Sequence, residues 1–84
     1  MKTLRTPQHN ALMKELKRVR TDAGLTQAAL AAKLSVAQSY VAKVEGGERR
    51  IDVVEFINWL DAADAFNTAG VILAYVRSAP GPNS

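Results

Sequence analysis

Cysteine is absent from the 84 residues, so neither a disulfide nor a thiolate metal site can supplement the core, and nothing points to an oxidising compartment. The single histidine, His9, lies near the N-terminus and reads as a surface residue, so any metal site would have to come from carboxylates alone. No apolar run approaches the roughly 18 residues of a membrane span, and the N-terminus lacks the apolar stretch of a secretory signal. Enzyme chemistry also lacks its parts. With no thiol, one histidine and dispersed carboxylates, no nucleophile–base pair can be assembled. These absences leave one soluble, cytoplasmic, non-enzymatic domain with no cofactor and no membrane contact, short enough that its margin of stability should be small.

Charge of one sign is scarce in each half. Residues 1–50 carry ten Lys/Arg against Glu15, Asp22, Glu45 and Glu48, a balance of +6. Residues 51–84 carry Arg77 against Asp52, Glu55, Asp61 and Asp64, a balance of −3. A polyanion is drawn to the first half and repelled by the second.

Hydrophobic spacing then gives helices and no strands. Residues 1–6 lack periodicity and read as an arm, in which Lys2 and Arg5 could follow a groove. Pro7 suits the first turn of a helix, along which Leu12, Leu16, Val19 and Ala23 recur at helical spacing. Gly24 supplies a left-handed stop. Thr26 caps a second helix to Leu34, with Leu30, Ala31 and Leu34 inward. Ser35-Val36-Ala37 connects to a third helix, Gln38 to Glu45, with Val41 and Val44 inward, and Gly46-Gly47 stops it. Asp52 and Glu55 form a capping-box-like start to a fourth helix carrying Phe56, Ile57 and Leu60. Asn67 or Thr68 could cap a fifth helix running to about Arg77, and residues 78–84, rich in proline, read as a tail.

Helices two and three, joined by three residues with small Ala31 where they cross, make a helix-turn-helix. Val41 and Val44 anchor the second of the pair and leave Gln38, Ser39, Ala42 and Lys43 on its other face. These side chains suit base edges and phosphates: an amide can pair bidentately with adenine, a hydroxyl with several bases, an amine with guanine or phosphate. Tyr40 either contacts a phosphate or covers the edge of the core. Arg49 and Arg50, in the loop after the helix, are placed for a phosphate contact by one of them.

Thr26-Gln27-Ala28-Ala29-Leu30-Ala31-Ala32-Lys33-Leu34, Val36-Ala37-Gln38-Ser39-Tyr40-Val41 and Val44-Glu45-Gly46-Gly47-Glu48-Arg49 together resemble the Xre, or lambda-repressor-like, family of bacterial and phage regulators. The resemblance spans about Leu12 to Ala63. It implies an all-α, five-helix lambda-repressor-like DNA-binding domain over residues 7–77, with double-stranded DNA as partner. It also implies individual roles. Gln27 would bind a phosphate and brace Gln38, Gln38 would read a base, and Ser39 and Lys43 would make further base contacts. Arg20 and Glu45 would form a structural salt bridge, and Arg49 would reach the DNA backbone. The sequence departs from the family pattern at Ser35, where a glycine is usual, at Ala37, where a Ser/Thr cap is usual, and at Ala29, where an acid is usual.

The fifth helix, about 67–77, carries six apolar residues in a row, Val71 to Val76, too many for one face of a surface helix. Val71, Ile72, Tyr75 and Val76 are therefore read as a dimer interface, which would set two recognition helices about one DNA turn apart. The expected function is that of a homodimeric repressor of a palindromic operator. The alternative is an antitoxin-type module that binds a toxin partner as well as DNA.

Overall fold

The computed structural model describes residues 6–79; the arm residues 1–5, with Lys2 and Arg5, and the tail residues 80–84 lie outside them. Five α-helices follow one another, α1 (Pro7–Asp22), α2 (Gln27–Leu34), α3 (Gln38–Glu45), α4 (Val53–Ala62) and α5 (Ala69–Ser78), with a 3-10 turn, Phe66–Thr68, before the last. No strand occurs among the described residues.

Each start has a local cause. Thr6 accepts the His9 N–H at 3.0 Å and Pro7 occupies the first turn of α1, so Thr6 belongs to the helix cap rather than to the arm. Thr26 accepts the Ala29 N–H at 3.0 Å. Asp52 and Glu55 close a reciprocal capping box on α4. At the start of α5 the Thr68 hydroxyl donates back to the Ala65 carbonyl at 2.7 Å instead of capping the helix. The preceding 3-10 turn leads the chain in without a side-chain cap.

The ends share one device. Gly24, Ser35, Gly47 and Asp64 all have positive φ, at 75, 59, 82 and 56°. In each case the N–H of that residue and of the next turn back onto the last carbonyls of the helix, as from Ser35 to Ala32 and from Val36 to Ala31 at 3.2 and 3.0 Å. This is the Schellman arrangement. It stops four helices cleanly and holds each interhelix connection short. Ser35 therefore takes the conformation that a glycine would adopt at no steric cost.

Leu16, Leu30, Val41, Val44, Trp59, Leu60 and Ile72 are fully buried at the centre, with Val19, Ala31, Phe56 and Ala63 around them. Trp59 donates its indole N–H to the Leu16 carbonyl at 3.1 Å, tying α4 to α1 across the core. The buried stripe of α1 is His9, Met13, Leu16 and Arg20, with Ala11 and Val19 beside it. That corrects the expected stripe. Ala23 lies beyond the helix and is exposed, Leu12 is half-buried, and His9, expected at the surface, is buried. Ile57, expected inward, is exposed, because Phe56, Trp59 and Leu60 take the inner face of α4.

Candidate nucleic-acid interface

The α2–α3 pair is held from behind. Ala31 is buried where α2 lies against the core, Val41 and Val44 have no exposure at all, and α2 packs more extensively on α3 than on any other element. The outward face of α3 presents Gln38, Ser39, Ala42 and Lys43, all exposed. Ala37 precedes α3 in extended conformation and makes no side-chain cap bond. The helix nevertheless begins at Gln38, because the burial of Val41 and Val44 and the stop at Gly47 fix its position.

Behind the first residue of α3 runs a chain of polar contacts. Arg20 donates through Nε to Glu45 Oε2 at 2.6 Å, through Nη2 to Glu45 Oε1 at 3.0 Å, and through Nη1 to the Leu25 carbonyl at 2.8 Å. Both side chains are nearly inaccessible, 9% and 4% exposed. The carboxylate raises the Arg20 guanidinium above its ordinary value, chiefly by hydrogen bonding and against the opposing effect of burial. Gln27 Nε2 donates to Glu45 Oε1 at 3.1 Å, and Gln38 Nε2 donates to Gln27 Oε1 at 3.4 Å. Since the carboxylate can only accept, the Gln27 amide must turn its nitrogen inward and its oxygen towards Gln38. Gln38 spends one amide N–H on that contact and keeps a second N–H and its oxygen, the donor–acceptor pair that matches adenine N7 and N6.

Tyr40 and Arg49 lie on the other flank of α3. Tyr40 is half-buried and packs on the core, and the Arg49 guanidinium carbon sits 4.6 Å from its ring centroid. Burial, then the nearby Glu55 charge, pushes the Tyr40 phenol up against the opposing pull of Arg49. Arg49 is bound to Glu55 at 3.1 Å, and both Arg49 and Arg50 are exposed in the loop after α3. Lys14 and Lys17 add cations that the sequence reading did not place at the site. With Asn10, Met13, Glu45 and Gly46 they line an open groove of about 410 Å³ between α1 and the end of α3. Their helical positions were plain, but their nearness to α3 depends on tertiary packing.

Among the described residues, no three His, Cys, Asp or Glu side chains gather to hold a metal ion, and no helix is long and apolar enough to cross a membrane. On α5, Ile72 is wholly buried in the protein's own core and Val76 packs against it. Ile72 is therefore removed from the expected dimer face: α5 packs on α1, and that contact consumes its inner side. Val71, Leu73 and Tyr75 remain outside, 71%, 54% and 52% exposed.

Residues 11–71 match the helix-turn-helix domain family. That match covers most of the chain. The protein belongs to this family. Among solved structures it is similar to an XRE-family like protein from Pseudomonas syringae pv. tomato str. DC3000, with 35% sequence identity over 84% of each chain and a TM-score of 0.74. No curated protein matches. This Xre-type helix-turn-helix protein is a DNA-binding regulator, and its departures from the family pattern are absorbed locally. Ser35 adopts the left-handed turn that a glycine would favour, and α2 is capped by Thr26 alone, with no acid at position 29.

Proposed function

We propose that the protein is a homodimeric repressor that reads a two-fold DNA site through α3. The observation that carries this reading is the polar chain Arg20–Glu45–Gln27–Gln38, which orients one amide at the start of the exposed helix before any DNA arrives. An amide whose direction is fixed in advance loses less freedom on binding and discriminates better than a loose one. In this reading Gln38 pairs with adenine, Ser39 and Lys43 contact neighbouring base edges or phosphates, and Gln27 and Tyr40 touch the backbone. One of the two loop arginines, with Lys14 and Lys17, neutralises phosphates on the flanks. The apolar side chains of Val71 and Tyr75, with Val76 at the edge of the core, support a dimer through α5. An isologous contact there would hold two copies of α3 about 34 Å apart, one turn of DNA.

Selection of bound duplexes from a random pool tests the reading in one measurement. A two-fold consensus is expected, with half-sites about 10 base pairs apart. Gln38→Ala should lose about 1–3 kcal/mol of discrimination at one position in each half-site. Unchanged selectivity in that variant would show that α3 is not read through Gln38. A chain that is monomeric in solution and associates only with a second protein would favour the antitoxin-type alternative over the homodimer.

A further inference from the structure

The guanidinium of Arg49 is held at its end and on one face. Nη1 donates to Glu55 Oε1 at 3.3 Å and to the Arg50 carbonyl at 2.9 Å, and Nη2 donates to Glu55 Oε2 at 3.1 Å. The Tyr40 ring of α3 lies beneath it, 4.6 Å from centroid to guanidinium carbon. Two donors are left, the Nε–H and the second Nη2–H, and they share one edge of the planar fork. Arg20 uses that same edge, Nε with Nη2, to grip Glu45 at 2.6 and 3.0 Å. On Arg49, whose side chain is 44% exposed, neither of these two hydrogens is given to an acceptor among the described residues. Glu55 is itself anchored, because its Oε1 also accepts the Asp52 N–H at 2.9 Å and closes the capping box of α4. The carboxylate is thus tied to one helix and the guanidinium rests on another, so the remaining edge has a set direction relative to α3.

We infer that Glu55 is a positioning residue for DNA binding, which holds the end of the Arg49 guanidinium so that its Nε–Nη2 edge forks one backbone phosphate beside each half-site. The inference rests on the DNA-binding reading above and adds to it the acid that aims the cation. By charge alone, an acid this close to a DNA-binding surface repels the backbone, so its removal would tighten binding. Positioning gives the opposite sign. A fork fits two phosphate oxygens only in the right plane and direction, and a side chain that must first be ordered loses affinity. A compact ammonium has no edge to aim, so lysine at position 49 keeps the charge and loses the fork.

The test uses a duplex selected by the wild type, with single phosphates near each half-site replaced in turn by neutral methylphosphonates. Affinities are measured for the wild type, Arg49→Ala, Arg49→Lys and Glu55→Gln. Glutamine at position 55 can still complete the capping box, native Trp59 fluorescence confirms folding, and each variant is compared with itself on the unmodified duplex. One position in each half-site should cost the wild type about tenfold, as for a charge-assisted contact, and cost Arg49→Ala about twofold or less. On the unmodified duplex, Glu55→Gln and Arg49→Lys should each bind about two- to fivefold more weakly than the wild type. In Glu55→Gln the penalty at the Arg49 phosphate alone should shrink, to about threefold, with the other positions unchanged. Three results would overturn the inference: no phosphate whose penalty depends on Arg49, equal or tighter binding by Glu55→Gln with that penalty intact, or full affinity in Arg49→Lys. Failure of the wild type to bind any duplex would instead remove the DNA-binding reading itself, and this inference with it.

Discussion

Replacing Glu45 with alanine should be among the most damaging single changes this protein can suffer. The carboxylate and the Arg20 guanidinium are 4% and 9% exposed, and two hydrogen bonds at 2.6 and 3.0 Å join the buried charges directly. Without Glu45 the guanidinium would keep only the Leu25 carbonyl among these partners. Breaking a buried pair from one side costs about 3–5 kcal/mol, because a charge is left in a poorly solvated place. A chain of this length has a total stability of about 4–13 kcal/mol, so the loss is about a quarter of it or more and should lower the melting temperature by roughly 12–40 °C. Urea unfolding followed by the fluorescence of Trp59, the sole tryptophan and fully buried, measures it directly. A loss below about 1 kcal/mol would refute the reasoning, since it would place the pair with exposed salt bridges.

Three further outcomes follow from the same structure. Ser35→Gly should stabilise the protein by about 0.5–1 kcal/mol in thermal melts by relieving the left-handed serine, while Ser35→Ala, which keeps a Cβ there, should give no gain. Trp59→Phe should cost about 2–3 kcal/mol, read by far-UV circular dichroism, because it removes buried volume together with the donor to the Leu16 carbonyl. The Glu55 carboxyl is held below its ordinary value of 4.5, first by the Arg49 hydrogen bond and then by the Asp52 N–H. A carboxyl depressed on folding contributes stability above its unfolded value and loses it as pH falls through the folded one. Stability should accordingly decline on acidification below about pH 4.5, and Glu55→Gln should flatten that limb in urea midpoints taken across the acid range.

The fold was legible in the sequence wherever local chemistry agreed with hydrophobic period. Val41 and Val44 define the inner face of α3 even though Ala37 offers no cap, and Asp52 with Glu55 announces α4. Phase was lost where apolar residues run together. In Phe56-Ile57-Asn58-Trp59-Leu60 both Phe56 with Leu60 and Ile57 with Leu60 satisfy a helical period, and only packing against α1 sends Trp59 inward and Ile57 out. The run from Val71 to Val76 hides the inward turn of Ile72 for the same reason. On α1 the buried stripe begins and ends in polar residues, His9 and Arg20, so a search for apolar periodicity sees only its middle. At the candidate site, Gln27, Gln38 and Lys43 could be singled out from their places in the motif. The Arg49–Glu55–Tyr40 cluster and the approach of Lys14 and Lys17 to α3 could not, because each joins elements whose relative placement no local spacing encodes.

Stability and base reading meet in Glu45, and they can be separated. Its Oε1 accepts from both Arg20 and Gln27, so the atom that neutralises the buried guanidinium also fixes the amide bracing Gln38. Replacing a buried ion pair with apolar groups of similar volume is often neutral or stabilising. The double variant Arg20→Met/Glu45→Leu should therefore recover most of the stability that Glu45→Ala loses. It cannot recover the acceptor. Gln27 would then be free to rotate, and Gln38 would enter the groove with its amide unset. The expected protein melts close to the wild type and keeps its salt-dependent attraction to DNA, yet discriminates less at the base pair that Gln38 reads. Urea unfolding and competition between matched and single-mismatch duplexes separate the two effects. Full discrimination in a stable double variant would mean that the buried pair serves the fold alone, and that Gln38 takes its orientation from the DNA.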